Sequence, residues 1–214
     1  MPKRIVVLIS GSGSNLQAII DATRKGRING QIVAVISNKD NVFGLERAAN
    51  ASIPARVLDH KSFDSRESFD AEMMALIDSY DADLVVLAGF MRILTAGFVR
   101  HYEGRMFNIH PSLLPKYKGL NTHQRALDAG DDEHGCTVHF VTAELDGGPP
   151  VVQGRVSINP DDSHDSLQQK VHVREHQIYP LAVEWFCADR IQWTPDGIHF
   201  DGQLAPAEGV QLTQ

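Results

Sequence analysis

Short apolar runs recur along the first 140 residues with helix-like segments between them, and this rhythm restricts the fold more than any other feature. The runs cover residues 5–9, 32–36, 55–58, 84–88 and 105–109. Each has the length of a strand, and most are apolar at every position, as strands buried on both faces are. Between them, residues 16–20, 43–51 and 66–79 carry apolar side chains at helical spacing. Strand, helix and strand in alternation build a mostly parallel sheet covered on both sides.

Later segments change the pattern. Residues 136–142 and 151–158 read as strands close together around Gly147-Gly148-Pro149-Pro150, which predicts antiparallel strands at one edge. Residues 165–187 read as a helix interrupted near Pro180, since proline removes a backbone donor. After residue 190 a small hairpin and a loose tail are expected. The fold class implied is α/β, a Rossmann-like, mostly parallel twisted sheet with helices on both faces and an antiparallel edge. At 214 residues, one domain over 1–214 is expected.

Charge narrows the partners. Lys and Arg number 20 and Asp and Glu 27, a formal charge of −7. No basic field exists for nucleic acid or an anionic membrane surface. No apolar stretch is long enough to cross a bilayer. Cys136 and Cys187 make neither a disulfide framework nor a metal pair, so a cytoplasmic home is the default.

The first strand runs into Ser10-Gly11-Ser12-Gly13-Ser14-Asn15, with a helix after it. Glycines permit a sharp turn and bare N–H groups, and the helix start favours an anion. A P-loop would need Gly-Lys-Ser/Thr, which is absent. A dinucleotide turn would need glycine at Leu16 and an acid where Ser37-Asn38 stands. A phosphate monoester suits the turn better; a plain strand–helix turn with a Ser or Asn cap suits it too.

Asn108 and His110 stand two apart at the end of a strand, so both side chains share one face. Pro111 restricts His110 to extended backbone. An amide donor beside an imidazole suits chemistry at a carbonyl, where one stabilises an oxyanion and the other moves a proton. Asp146, in Leu145-Asp146-Gly147-Gly148-Pro149, is a candidate to orient and tune the imidazole by favouring its charged form. The same residues also suit ordinary turn chemistry.

Taken together, Gly11-Ser12-Gly13-Ser14-Asn15, Phe90-Met91-Arg92-Ile93-Leu94, the run Asn108-Ile109-His110-Pro111-Ser112-Leu113-Leu114-Pro115, and Leu145-Asp146-Gly147-Gly148-Pro149 resemble the folate-dependent formyltransferase family, at its phosphoribosylglycinamide branch. The resemblance covers residues 4 to about 190. It implies transfer of a formyl group from 10-formyltetrahydrofolate, as co-substrate, to the amine of glycinamide ribonucleotide in purine synthesis, with no metal. It implies Asn108, His110 and Asp146 as the catalytic trio. Gly13, Ser14, Asn15 and Glu175 would hold the ribonucleotide. Arg66, Met91, Arg92, Ile93, Leu94, Asn108 and the loop Val141, Thr142, Ala143, Glu144 and Leu145 would hold the folate. The amine attacks the formyl carbon directly, so no protein nucleophile is required. Small molecules are the expected partners, with the chain a monomer or a homodimer. Asn121 departs from the family pattern, standing where some relatives carry histidine.

Rival readings exist. A formyltetrahydrofolate hydrolase shares the trio but releases formate to water, and a nucleotide-phosphate binding module would not need it. His172-Val173-Arg174-Glu175-His176 has the spacing of a zinc-peptidase helix, although a third ligand is not evident. Lys116 and Lys118 read as solvated loop charges.

Overall fold

The computed structural model describes residues 1–212. Its main sheet has eight strands in the order β11-β7-β6-β5-β4-β1-β2-β3. Strands β1 (Lys3–Ile9), β2 (Gly30–Ser37), β3 (Ala55–Val57), β4 (Leu84–Leu87) and β5 (Met106–His110) are parallel. Strands β6 (Glu133–Phe140) and β7 (Pro150–Ser157) follow as an antiparallel pair, with β6 also antiparallel to β5.

Side chains alternate across the sheet, as a period of two requires. Ile5, Val7 and Ile9 of β1 enter one buried cluster, and Val6 and Leu8 enter the other. The first cluster is closed by α1 (Ser14–Arg24) and α6 (His164–Cys187), the second by α3 (Arg66–Asp78) and α4 (Ala96–His101). Helix α2 (Phe43–Asn50) follows β2, and α5 (Thr122–Ala129) precedes β6. This is the Rossmann-like mixed sheet that the apolar rhythm implies.

Two expectations need correction. Helix α6 runs unbroken through Pro180. The proline sacrifices one helical donor, but Ile178, Tyr179, Pro180, Ala182 and Val183 are all buried there, and their burial outweighs that loss. The tail is not loose: β8 (Ile191–Thr194), β9 (Gly197–Phe200) and β10 (Gln203–Leu204) form a small antiparallel sheet. The chain then returns as β11 (Val210–Leu212), parallel to β7, and forms the outer edge of the main sheet beyond the antiparallel pair. Among the described residues, no helix is long and apolar enough to cross a membrane.

The Tyr179 hydroxyl ties α6 to the site-bearing strands, donating toward Leu87 O at 2.9 Å and Phe107 O at 3.1 Å while fully buried. Tyr179→Phe keeps the ring and loses these bonds, so stability should fall by about 1–2 kcal/mol. Urea midpoints for the two proteins check this; an unshifted midpoint would remove the bonds from the stability of the fold.

Candidate active site

Strand order reverses between β1 and β4, and such a reversal opens a crevice at the carboxyl ends of the strands. The 10–15 turn follows β1, the 91–94 segment follows β4, and Asn108 and His110 end the neighbouring β5.

Asn108 and His110 end β5. The antiparallel register pairs Asn108 with His139 of β6, and Asn108 Nδ2 lies 3.4 Å from His139 Nε2. His139 Nδ1 lies 2.9 Å from Phe140 O, which only an N–H can satisfy. The Nε2 of the neutral ring is then an acceptor for the Asn108 amide, and this orients it. Sequence reasoning misses His139 as a site residue; its one signal is its place opposite Asn108 once the strands are paired.

His110 is flanked by two acceptors. Its Nε2 lies 2.8 Å from Tyr117 O, and its Nδ1 lies 3.4 Å from Asp146 Oδ2. The two side chains are each 7% exposed. An imidazolium, with an N–H on each nitrogen, satisfies both acceptors. Asp146 sits in a left-handed turn at φ 49°, and its Oδ2 also accepts from the Gly119 N–H at 2.9 Å. The fold thus joins residues 36 positions apart, which spacing alone does not establish.

Across the crevice, Gly13 takes φ 70° at the start of α1. No side chain caps this helix, so the reading of a Ser- or Asn-capped turn is corrected. The first-turn N–H groups remain free for an anion. Asn15 instead reaches α6, donating from Nδ2 to Glu175 Oε2 at 3.1 Å, while its Oδ1 is buried without a partner. Burial raises the Glu175 carboxyl above its ordinary range, and the Asn15 bond opposes that. Arg47 of α2, missed in the sequence, donates from Nε to Ser12 O at 2.8 Å and places a cation beside the turn.

The expected folate side lies around the same edge. Met91 and Ile93 are 71% and 60% exposed, and Leu145 is 57% exposed. Arg92 packs its guanidinium 4.7 Å from the Phe69 ring, one turn along α3 from Arg66. Leu94 packs against the second buried cluster, as does Val141, whose N–H donates to Met106 O. Thr142 and Gly147 bond back to Glu144 O, closing the loop that holds Ala143. Lys118 and Glu144 form an ion pair at 2.6 Å, and Lys116 pairs with Asp131 at 3.0 Å; both lysines are exposed, as solvated loop charges are.

Asn121 begins α5 at φ 57° with no side-chain cap. Asparagine tolerates that left-handed backbone. The His172 and His176 rings stack at 6.5 Å while Glu175 turns inward to Asn15. Among the described residues no group of His, Cys, Asp and Glu is arranged to hold a metal. Both cysteines are buried, and burial pushes Cys187 up to about 12 and Cys136 well above its ordinary value, which leaves the thiols unreactive.

A second histidine cluster supports the segment behind the site. His123 Nδ1 and His134 Nε2 lie 3.1 Å apart. Burial lowers His123, His134 and His139 each to about 4, with neighbouring imidazoles adding to the first two. These rings are neutral in the fold, whereas the unfolded chain protonates them near pH 6.5. Their stability contribution is complete above that pH and is lost as pH falls toward 4, at up to about 1.4 kcal/mol per unit for each ring. Urea midpoints between pH 7.5 and 4.5 should therefore fall below pH 6.5; a level profile would contradict the assignment.

Known proteins share this sequence pattern and fold. The formyl transferase family model matches residues 3–183. Phosphoribosylglycinamide formyltransferase of Escherichia coli K12 is 55% identical over 205 residues, covering 96% of this chain and 97% of that one. The enzyme of that name from Haemophilus influenzae is 48% identical over 207 residues, 97% of this chain and 98% of its own. The solved phosphoribosylglycinamide formyltransferase of Coxiella burnetii superposes with a TM-score of 0.95 at 51% identity, covering 99% of this chain and all of that one. The chain therefore belongs to the formyl transferase family, and within it to the phosphoribosylglycinamide formyltransferases, a class of enzymes.

Proposed function

We propose that the protein transfers the formyl group of 10-formyltetrahydrofolate to the primary amine of glycinamide ribonucleotide, a step of purine synthesis, through Asn108, His110 and Asp146. The observation that carries this reading is the approach of His110 Nδ1 to Asp146 Oδ2 at 3.4 Å, beside the amide of Asn108 at the end of β5. The uncapped 11–15 turn seats the phosphate, with Glu175, bonded to Asn15, on the ribosyl side. Met91, Arg92, Ile93 and Leu94, with the 141–145 loop and Arg66, hold the folate.

The amine lone pair attacks the formyl carbon, and the carbonyl electrons move onto oxygen. That oxyanion accepts from Asn108 Nδ2 and from His110 Nε2, where the substrate oxygen replaces the Tyr117 carbonyl. Asp146 keeps Nδ1 engaged, sets the ring plane and balances the charge of the imidazolium. The attacking nitrogen loses a proton, the folate nitrogen gains one, and the bond between carbon and folate nitrogen breaks. His110 gives its Nε2 proton to the departing folate nitrogen, and the proton lost by the attacking nitrogen restores it. No covalent enzyme intermediate arises, in keeping with the two buried, unreactive thiols.

The test mixes the protein with 10-formyltetrahydrofolate and follows folate absorbance with and without the ribonucleotide. Turnover that requires the ribonucleotide supports the transferase. Turnover without it indicates a hydrolase, and absence of turnover in both mixtures removes the activity.

A further inference from the structure

The Ser10 side chain links the ends of β1 and β4. Ser10 follows β1 directly and precedes the phosphate turn. Its Oγ accepts from the Met91 N–H at 2.8 Å and donates to Asn38 Oδ1, beyond β2, at 2.6 Å. Ser10 and Asn38 are 5% and 1% exposed, so water does not compete for these bonds. Asn38 is fixed in turn by His60, whose Nδ1 lies 3.0 Å from Asn38 O.

The far end of the 91–95 segment is pinned separately. The Thr95 N–H donates to Asp70 Oδ2 at 2.7 Å, and Asp70 is 1% exposed on α3. Between the two pins, the Met91 and Ile93 side chains stand in solvent. Those two side chains do not hold the segment; Leu94 packs against the second buried cluster, Arg92 lies over Phe69, and the two polar pins fix the ends.

We propose that Ser10 is a positioning residue that couples the two substrate seats, so that filling the phosphate turn orders the folate-facing segment through the bond from Met91 N–H to Ser10 Oγ. The proposal rests on the activity assigned above. A ligand clamped by the 11–15 turn fixes the backbone that carries Ser10, and with it the acceptor for Met91. A segment already ordered binds its ligand at lower entropic cost. By reciprocity, the folate tightens ribonucleotide binding by the same factor. Asp70 pins the same segment but is not part of the turn, so it affects folate affinity without carrying the coupling.

Calorimetric titration with tetrahydrofolate, which has no formyl group to transfer, tests this with and without saturating glycinamide ribonucleotide. The ribonucleotide should tighten tetrahydrofolate binding by about tenfold in the wild-type protein. In Ser10→Ala that factor should fall to about one, while the affinity for ribonucleotide alone changes little. Ser10→Cys keeps the side chain's connectivity, puts a larger and weakly bonding sulfur in place of the oxygen, and so reads the same effect without leaving a cavity. In Asp70→Ala tetrahydrofolate should bind more weakly in both titrations with the factor preserved. Coupling that persists in both Ser10 variants would belong to direct contact between the ligands and would overturn the proposal. Independent binding of the two ligands to the wild-type protein would overturn it as well. A wild-type protein that binds neither ligand would overturn the assigned activity and the coupling together.

Discussion

His110→Ala should lower kcat for formyl transfer by about a thousandfold. An oxyanion donor is worth about 10²–10³ in rate and a proton carrier about 10²–10⁴, and one side chain supplies both here. The loss corresponds to about 4 kcal/mol of transition-state stabilisation. The fold should survive, because Asp146 retains the Gly119 N–H and the β5–β6 pairing does not use the imidazole. The KM for ribonucleotide should change little, since the phosphate seat lies on the β1–α1 turn. Asp146→Asn should cost less, about a hundredfold, because an amide oxygen still orients the ring but does not balance its charge. Combining the two should be scarcely worse than His110→Ala alone, as expected of residues acting as one unit. Single-turnover rates measure all three, and a kcat for His110→Ala within tenfold of wild type would remove the imidazole from the chemistry.

Gly13→Ala should raise the KM for ribonucleotide by about a hundredfold. Gly13 has φ +70°, a conformation that costs a residue with a Cβ about 1–2 kcal/mol. A Cβ there would lie 2.8 Å from Gly44 Cα and 3.4 Å from Arg47 Cδ. The first contact is with backbone, so no side-chain rotation relieves it. The start of α2 is tied to the turn by the bond from Gly44 N–H to Gly11 O at 3.1 Å, so turn and helix must shift together. Displaced amides aim poorly at a phosphate, and misplacement by about 1 Å can cost two orders of magnitude. The KM for 10-formyltetrahydrofolate should move far less. A variant with raised folate KM and unchanged ribonucleotide KM would locate the phosphate elsewhere. Thermal unfolding should separately show a loss of about 1–3 kcal/mol from the overpacking.

Much of the site is legible in the sequence. The 11–15 turn carries its chemistry in adjacent residues, and the Asn108-Ile109-His110 spacing places two side chains on one strand face. Other parts leave no local trace. His139 matters because antiparallel pairing sets it opposite Asn108. Arg47 lies 35 positions from the carbonyl it holds, and Ser10 lies 81 positions from Met91. Helices α4 and α5 are short, six and eight residues, and the apolar rhythm marks neither. Pro180 signals a break that a buried helix face overrides. The weakly patterned tail conceals β11, whose place depends on the free edge of β7.

The sequence alone determined most of the elements and their chemistry, because strand length, side-chain period and turn residues act over a few neighbours. It established the parallel α/β sheet, the glycine turn and the Asn–His pair, and through its motifs it pointed to the formyltransferase family. Tertiary structure decided which distant groups meet: Asp146 with His110, Glu175 with Asn15, and Ser10 with Met91 across the β1–β4 crevice. Those contacts depend on strand order and register, which are set by burial summed over the whole sheet rather than by any single segment.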